Sequence, residues 1–394
     1  MQKVINHSER GHAILSPSSS ERWLNCTPSA RLADAAGSKT SEYAEEGTTA
    51  HELAEHVLGC WTDGTFLPEC EEMPVPENIA SNKYYSEEMK EAISHYVNFV
   101  TGEFYEMQKG PFGGPVTMRL EEKLDISGYA PESFGSADVS LVSEQILHII
   151  DLKYGKGVKV PAESPQFKMY ALGVLAKFGG PKVKRIRMSV AQPRLKHFET
   201  IEVDVRDLLD WAEKVLRPKA KLAYEGKGEQ VVGSWCQFCP VKATCRAQRD
   251  EIVHDFEEYP DTPHLLTDEE IVDMLGKLDR YRSWFESLNQ YAYAEAMKGK
   301  KWDGYKLVEG RSARKIVDPD KVRDKLLKTY LEDEVLNISL KGITDLEKLM
   351  GKKVFAAEIG EYVKSQPGAP KLVPDSHPGK DYERDTASDF DIEG

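Results

Sequence analysis

The change of hydrophobic period between residues 86 and 153 most limits what this chain can fold into. Ile93, Tyr96, Val97, Val100, Phe104 and Met107 recur at three- and four-residue steps, one helix face over about residues 86–108. Beyond them Val116, Met118 and Leu120 alternate, residues 135–143 are strand-like, and 146–153 (ILHIIDLK) is an apolar strand that ends in charge. Ser164 and Pro165 open a helix to about residue 178; strands follow at about 183–191 and 197–204, then a helix over about 206–225. Upstream, Ser-Pro after Leu15 reads as a capped helix start with proline at its first position, and residues 43–59 carry another helical pattern. The sum is an α/β core, a curved mixed sheet flanked by helices.

The strand-like stretch also holds the strongest chemical signal. Gly135-Ser-Ala-Asp138 is followed, after twelve residues, by Asp151-Leu-Lys153. Residues i and i+2 of a strand share a face, so Asp151 and Lys153 point together while Leu152 points away. The connection is the right length for a hairpin that brings both carboxylates to one spot, where they can hold a hard divalent cation. Such a cation lowers the pKa of a water, and an ammonium beside it orients that water or stabilises charge on a phosphate. Taken alone, Asp-x-Lys reads as an ordinary strand-end salt bridge, and the surrounding residues are what favour a site. Two further pairs lie one helical turn apart: His51 with Glu55, and Gln166 with Tyr170. Singly, His51 reads as a core histidine and Tyr170 as a packing aromatic.

Net charge is −14, with 40% apolar and 30% charged residues among 394, a soluble globular balance expected to make one large domain plus an appendage. No window approaches the roughly 18 apolar residues of a membrane span, and the first residues lack the apolar core of a secretory signal. A collagen, a membrane protein and a secreted disulfide scaffold are excluded. Charge is unevenly spread: residues 153–196 hold eleven basic residues and one acid, Glu163, a charge of +10 against −24 elsewhere. This window, with Lys156, Lys159, Lys168, Lys184, Arg185 and Arg187, is expected to meet a polyanion; the alternative is a basic surface with no partner.

Of six cysteines, Cys236-x2-Cys239-x5-Cys245, with Pro240 after the second, forms a three-ligand cluster that needs a fourth. From spacing alone zinc is the default, since Cys-x2-Cys most often marks it. Thr267 with Glu270 caps a long helix over about 267–299. Residues 302–363 are expected to form a small α-rich segment with a short strand at 305–308. The last residues, 366–394, hold four prolines and seven acids and read as disordered.

In order, Gly-Thr-x-x-His51, Gly-x-x-Asp138, Asp151-x-Lys153 and Gln166-x-x-x-Tyr170 resemble the successive motifs of PD-(D/E)XK nucleases of the RecB-like exonuclease branch. The resemblance covers about residues 15–250 and implies a restriction-endonuclease-like core. Asp138 and Asp151 would bind Mg²⁺ or Mn²⁺, with His51 as the branch's additional ligand and Lys153 as catalytic lysine. Gln166 and Tyr170 would flank the cleft, and Glu121 or neighbouring Glu122 would be the family's early acid. Relatives of the AddB and CRISPR-associated exonuclease type carry a 4Fe–4S cluster with one cysteine before the nuclease motifs and three after. Cys26 matches that first position, so Cys26, Cys236, Cys239 and Cys245 would form a four-cysteine site, with zinc as the alternative occupant. Cys60 and Cys70 are left over.

The whole chain also resembles a family encoded by bacteriophages and prophages. The implied layout is a nuclease domain over 1–262 closed by the four-cysteine cluster, an α-rich region over 263–365 and an acidic tail over 366–394. The implied function is a metal-dependent DNA exonuclease of phage recombination or replication in the bacterial cytoplasm, its activated water attacking a backbone phosphate. Partners would be DNA and a phage single-strand annealing protein. An endonuclease, or an idle DNA-binding or partner-recruiting scaffold, are the alternatives.

Overall fold

Five strands form one mixed sheet in the order β1-β2-β3-β4-β5: β1 (Thr117–Asp125), β2 (Phe134–Val142), β3 (Ile146–Leu152), β4 (Arg185–Gln192) and β5 (His197–Asp204). Neighbours pair antiparallel except β3 with β4, which run parallel. The parallel pair needs a crossover, and the helix Pro165–Phe178 supplies it. Its start is fixed as the sequence suggests: Ser164 Oγ accepts from Phe167 N at 3.4 Å, and Pro165 stands where no donor is needed. The computed structural model describes residues 13–37, 42–67, 72–110, 114–257, 265–308, 319–328, 336 and 341–363.

Helices cover both faces of the sheet. In chain order they begin with α1 (Ser20–Asn25), α2 (Ser29–Ala36), α3 (Glu42–Thr62), α4 (Glu77–Ala80), α5 (Glu87–Lys109) and the crossover helix α6 (Pro165–Phe178). α7 (Val205–Trp211) leads through a π turn at Ala212–Leu216 into α8 (Arg217–Glu225), so the helix expected over 206–225 is one path with a bulge. Pro218 sits just beyond the bulge and has no N–H to continue the α ladder. The early helix start is weaker than its sequence suggests: Pro17–Ser19 is a 3-10 turn, and Ser16 makes no side-chain cap.

Two apolar cores result, one on each side of the sheet. Leu147 and Ile149 of β3 join Trp23, Phe167, Leu172 and Met188 in the core beneath α6. Ile146, Ile150 and Leu152 join Leu53, Val57, Ile93 and Tyr96 in the core beneath α3 and α5. A strand buried on both faces has no wet side to alternate toward, hence the unbroken apolar run of 146–152.

The first two strands change sides partway along. Met118 and Leu120 of β1 pack toward α3 and α5, whereas Leu124 packs beneath α6. In β2, Val139 and Leu141 lie with the first group and Ala137 with the second. The reversal falls at Glu121, flanked by the pairs Leu120↔Val139 and Glu122↔Ala137, so Glu121 and Asp138 stand opposite each other. Glu121 has φ +45°, a left-handed conformation that a side chain adopts at a cost of about 1–3 kcal/mol. One such residue is enough to break the two-residue alternation.

Beyond the sheet come the turns Ser234–Cys236 and Lys242–Thr244, α9 (Arg246–Glu257) and the 30-residue α10 (Asp268–Met297). The α10 start carries the expected capping box: Thr267 Oγ1 accepts from Glu270 N at 3.3 Å, and Thr267 N donates to Glu270 at 2.7 Å. Trp284 Nε1 donates to Lys242 O at 3.0 Å, and Tyr281 OH donates to Asp255 at 2.9 Å, tying α10 to the preceding turns and α9. The chain accordingly divides after Leu307, with α10 in the first unit, where the sequence suggested a break at 262/263. Described helices of the second unit are α11 (Pro319–Leu326), α12 (Ile343–Met350) and α13 (Lys352–Glu358). The strand expected at 305–308 does not form. No described strand runs beside it, and an isolated strand leaves its backbone groups unpaired. The expected disordered tail over 366–394 lies outside the described residues, as does Cys70. No described helix is long and apolar enough to cross a membrane.

Candidate metal centre

The reversal of β1 and β2 is where the candidate site residues meet. Asp138 and Asp151 continue the β2–β3 register one step past the Val139↔Ile150 pair. Leu152 N donates to Asp138 Oδ2 at 2.7 Å, fixing one oxygen of that carboxylate. His51, from α3, brings Nδ1 to 3.4 Å from Asp138 Oδ1 and 4.0 Å from Glu121 Oε1. Among the described residues, His51, Glu121 and Asp138 form a group whose ligand atoms all lie within 4.8 Å of one another. Glu122, the alternative early acid, points elsewhere and pairs with Lys177.

Asp151 and Lys153 share a face as strand geometry requires, with Lys153 Nζ 2.5 Å from Asp151 Oδ2. That approach leaves the buried Oδ2 without an aligned hydrogen-bond donor. Gln166, on the first turn of α6, donates to Asp151 Oδ1 at 3.4 Å and to Tyr170 OH at 3.3 Å. Gly135 explains the glycine of the Gly-x-x-Asp motif. A Cβ there would lie 3.0 Å from the Tyr170 ring and 3.1 Å from Pro17, so a side chain would crowd both and force them to give by a few tenths of an ångström.

Electrostatics mark the site as short of positive charge. Burial, reinforced by Asp138, pushes Glu121 up to about 7. Burial likewise raises Asp151 to about 6, with Asp138 adding to the effect and Lys153 opposing it. Burial alone would raise Asp138 and lower His51, but their attraction overrides it: Asp138 is held below its ordinary value and His51 rises to about 9. Burial opposes the Lys153 charge, yet Asp151 and Asp138 keep its pKa above the usual lysine value. Three carboxylates thus face one imidazole and one ammonium. One nitrogen and several carboxylate oxygens suit a hard divalent cation.

Tyr96 belongs by sequence to the α5 apolar stripe, yet it lines the same small cavity as His51, Glu55, Glu121 and Asp138. Its buried hydroxyl has no hydrogen-bond partner among the described residues, and burial pushes its pKa well up. Nothing in the sequence separates it from its apolar neighbours. A second acid–imidazole–hydroxyl string, Glu103–His148–Ser189, has the outline of a hydrolytic triad. His148 Nδ1 lies 3.6 Å from Glu103 and Nε2 lies 2.6 Å from Ser189 Oγ, but His148 and Ser189 are wholly buried and Ser189 is bound on to Thr200. Burial, with Arg187 nearby, lowers the His148 pKa to about 3, so the imidazole is neutral, and its burial closes it to substrate.

The basic window looks different in space. Lys156 pairs with Glu88 at 2.5 Å, Lys168 with Glu163 at 2.9 Å, and Arg185 and Arg187 both with Glu202 at 2.8 and 3.0 Å. Arg194 pairs with Glu46 and Glu88 and lies over the Tyr154 ring. The +10 of the linear window is largely answered by acids from α3, α5 and β5. Lys159 and Lys184 have no ion pair among the described residues.

Cys26, Cys236, Cys239 and Cys245 line a single cavity, shared with Trp235, Val231 and Leu32. Cys26 caps α1, and the other three sit on the short turns around Ser234–Cys236 and Lys242–Thr244. Thr27 Oγ1 donates to Lys227 O at 2.6 Å and Arg31 Nε to Tyr224 O at 2.5 Å, holding the N-terminal helices against this region. Burial raises the Cys236 thiol pKa, with Cys239 and Cys26 adding to the shift. Cys60 lies apart, its Sγ 3.6 Å from His56 Nε2 on α3.

A family model described as "Protein of unknown function (DUF2800)" matches residues 12–380. The chain belongs to that family. The matched stretch of this DUF2800 chain contains every element described above.

Proposed function

We propose that this DUF2800 protein is a metal-dependent deoxyribonuclease of the PD-(D/E)XK type, acting as an exonuclease. The observation that carries the reading is the convergence of His51, Glu121 and Asp138 within 4.8 Å, beside the buried Asp151–Lys153 pair. His51, Glu121, Asp138 and Asp151 are the residues that would hold Mg²⁺ or Mn²⁺. Once bound, the cation would polarise the phosphodiester and acidify a water beside it. Lys153 stays charged and stabilises negative charge gathering on the phosphate. Gln166 holds Asp151 in orientation through its amide and is itself steadied by Tyr170. Because His51 offers nitrogen, Mn²⁺ supports turnover at least as well as Mg²⁺.

The cysteine cavity is the second part of the proposal. Four thiols around one largely apolar pocket suit a soft tetrathiolate group, a 4Fe–4S cluster or, alternatively, Zn²⁺. A brown preparation absorbing near ~400 nm and containing iron supports the cluster; a colourless, zinc-loaded one replaces it.

The deciding assay incubates end-labelled linear, nicked and circular DNA with each metal. Loss of linear DNA alone is the expected exonuclease pattern. Cleavage of covalently closed circles would make the enzyme an endonuclease. Equal degradation by the wild type and Asp151→Asn would remove this site as the source of the activity, and no metal-dependent degradation by the wild type would leave a DNA-binding or partner-recruiting scaffold. Association with a phage single-strand annealing protein in the bacterial cytoplasm belongs to the same proposal, and co-purification of the two proteins tests it.

A further inference from the structure

The C-terminal end of α10 and the loop behind it enclose a groove of about 1480 Å³, all of it within the first unit. That exceeds the roughly 300–1,000 Å³ of small-molecule sites and suits a polymer instead. Gly299, at φ +97°, ends the helix and turns the chain back, so that Trp302 Nε1 donates to Ala292 O at 2.9 Å. The indole is thereby fixed against Tyr291, with ring centroids 6.4 Å apart, while Tyr305 stands 83% exposed on the same groove. Lys300 Nζ lies 4.0 Å from the Trp302 ring centre and 5.7 Å from that of Tyr291.

Charge separates this groove from the basic window of the sheet. Lys300, Lys301 and Lys306 line it against one acid, Asp303, in a chain of net charge −14. None of the three has an ion-pair partner among the described residues, whereas Lys156, Lys168, Arg185 and Arg187 are all answered by glutamates. Aromatic rings at a groove surface, Tyr305 exposed and Trp302 half-buried, interleaved with ammonium groups that no carboxylate answers are the chemistry of single-stranded nucleic acid: bases stack on the rings and phosphates meet the lysines. A duplex keeps its bases stacked internally and cannot use the rings.

We propose that this groove is a single-stranded DNA-binding site, separate from the metal centre, that grips a strand by stacking on Trp302 and Tyr305 and by phosphate contacts to Lys300, Lys301 and Lys306. The groove adjoins the cysteine-bearing turn through Thr244, next to Cys245, so its position depends on that turn.

The test uses the full chain in EDTA with a fluorescein-labelled oligothymidylate, so nuclease activity plays no part. Anisotropy should report single-strand binding in preference to a duplex of equal length, with quenching of tryptophan emission that Trp302→Phe removes. Tyr305→Ala should weaken binding about 5- to 100-fold. Replacing the three lysines by alanine should lower the log–log salt slope by about 2, at about 0.7 for each phosphate contact. Because EDTA removes the cation that the nuclease reading requires, binding measured in this way stands or falls independently of that reading. Unchanged binding by both the Tyr305 and the triple-lysine variants would overturn the proposal. So would equal affinity for duplex with no tryptophan quenching, since that pattern belongs to a surface that reads phosphates alone.

Discussion

The carboxylate centre and the cysteine cavity are both assembled from residues far apart in the chain, but they are held in opposite ways. His51, Glu121, Asp138 and Asp151 stand on a long helix and three paired strands, with apolar cores on either side. Their positions are set by packing. Cys236, Cys239 and Cys245 stand on short turns, half-exposed, with only Cys26 buried. Turns this short contribute little of their own stability, so on the proposed reading their arrangement depends on what the sulfurs would bind. The first site is built by the fold and lends itself to chemistry; the second, on the proposed reading, helps to build the fold.

That contrast can be broken most decisively at Asp151. Asp151→Asn should reduce DNA degradation by about 10³-fold, since a cation and its ligands supply several kcal/mol of charge stabilisation, while the melting temperature stays near wild type. A variant that is inactive because it has unfolded would place the acids among the elements that hold the fold.

Cys26→Ser should behave the other way round. It should lose bound iron or zinc and melt several degrees lower, at about 2–4 °C for each kcal/mol lost. Metal analysis and calorimetry on the same sample check both. Unchanged metal content would identify another fourth ligand.

A smaller effect tests the charge balance of the carboxylate centre. Glu121, Asp151 and His51 are raised to about 7, 6 and 9, and all three must lose protons to bind a cation. Mn²⁺ affinity should therefore rise with pH across that range, with proton release on binding, as titration calorimetry in two buffers would reveal. Flat affinity from pH 6 to 9 would take His51 out of the ligand set.

Gly135→Ala probes the packing of β2 against α6 and the Pro17 turn. With a Cβ 3.0 Å from Tyr170, it should cost about 1–3 kcal/mol in denaturant unfolding and reduce activity more modestly than Asp151→Asn. Smallest of all should be Lys168→Ala and Arg187→Ala. Their charges are already answered by Glu163 and by Glu202, and exposed pairs are worth about 0–1 kcal/mol, so DNA affinity should change less than about fivefold.

How much was legible in advance follows from the range of the forces. Strand and helix positions through residue 204 depend on local period and capping, and Ser164, Ser86 and Thr267 cap their helices through their own side chains. Asp151 and Lys153 are placed together by the two-residue repeat of a strand. Tyr96 was not legible, because its place in an apolar stripe hides a hydroxyl that lines the same cavity as the acids. The basic window misled for the complementary reason: a sum along the chain omits acids such as Glu88 and Glu202 that only folding brings alongside.

By itself, then, the sequence determined the elements, the order of the acidic, basic and sulfur-bearing groups, and membership of an α/β class, because each rests on neighbours within a few residues. Only the tertiary structure chose Glu121 over Glu122, seated Cys26 in the cavity of the other three cysteines, ended the first unit at Leu307 and shaped the aromatic groove behind α10. Those outcomes depend on a left-handed residue that turns two strands over and on contacts between segments up to 200 residues apart, such as Thr27 with Lys227. Neither leaves a periodic trace in a linear string.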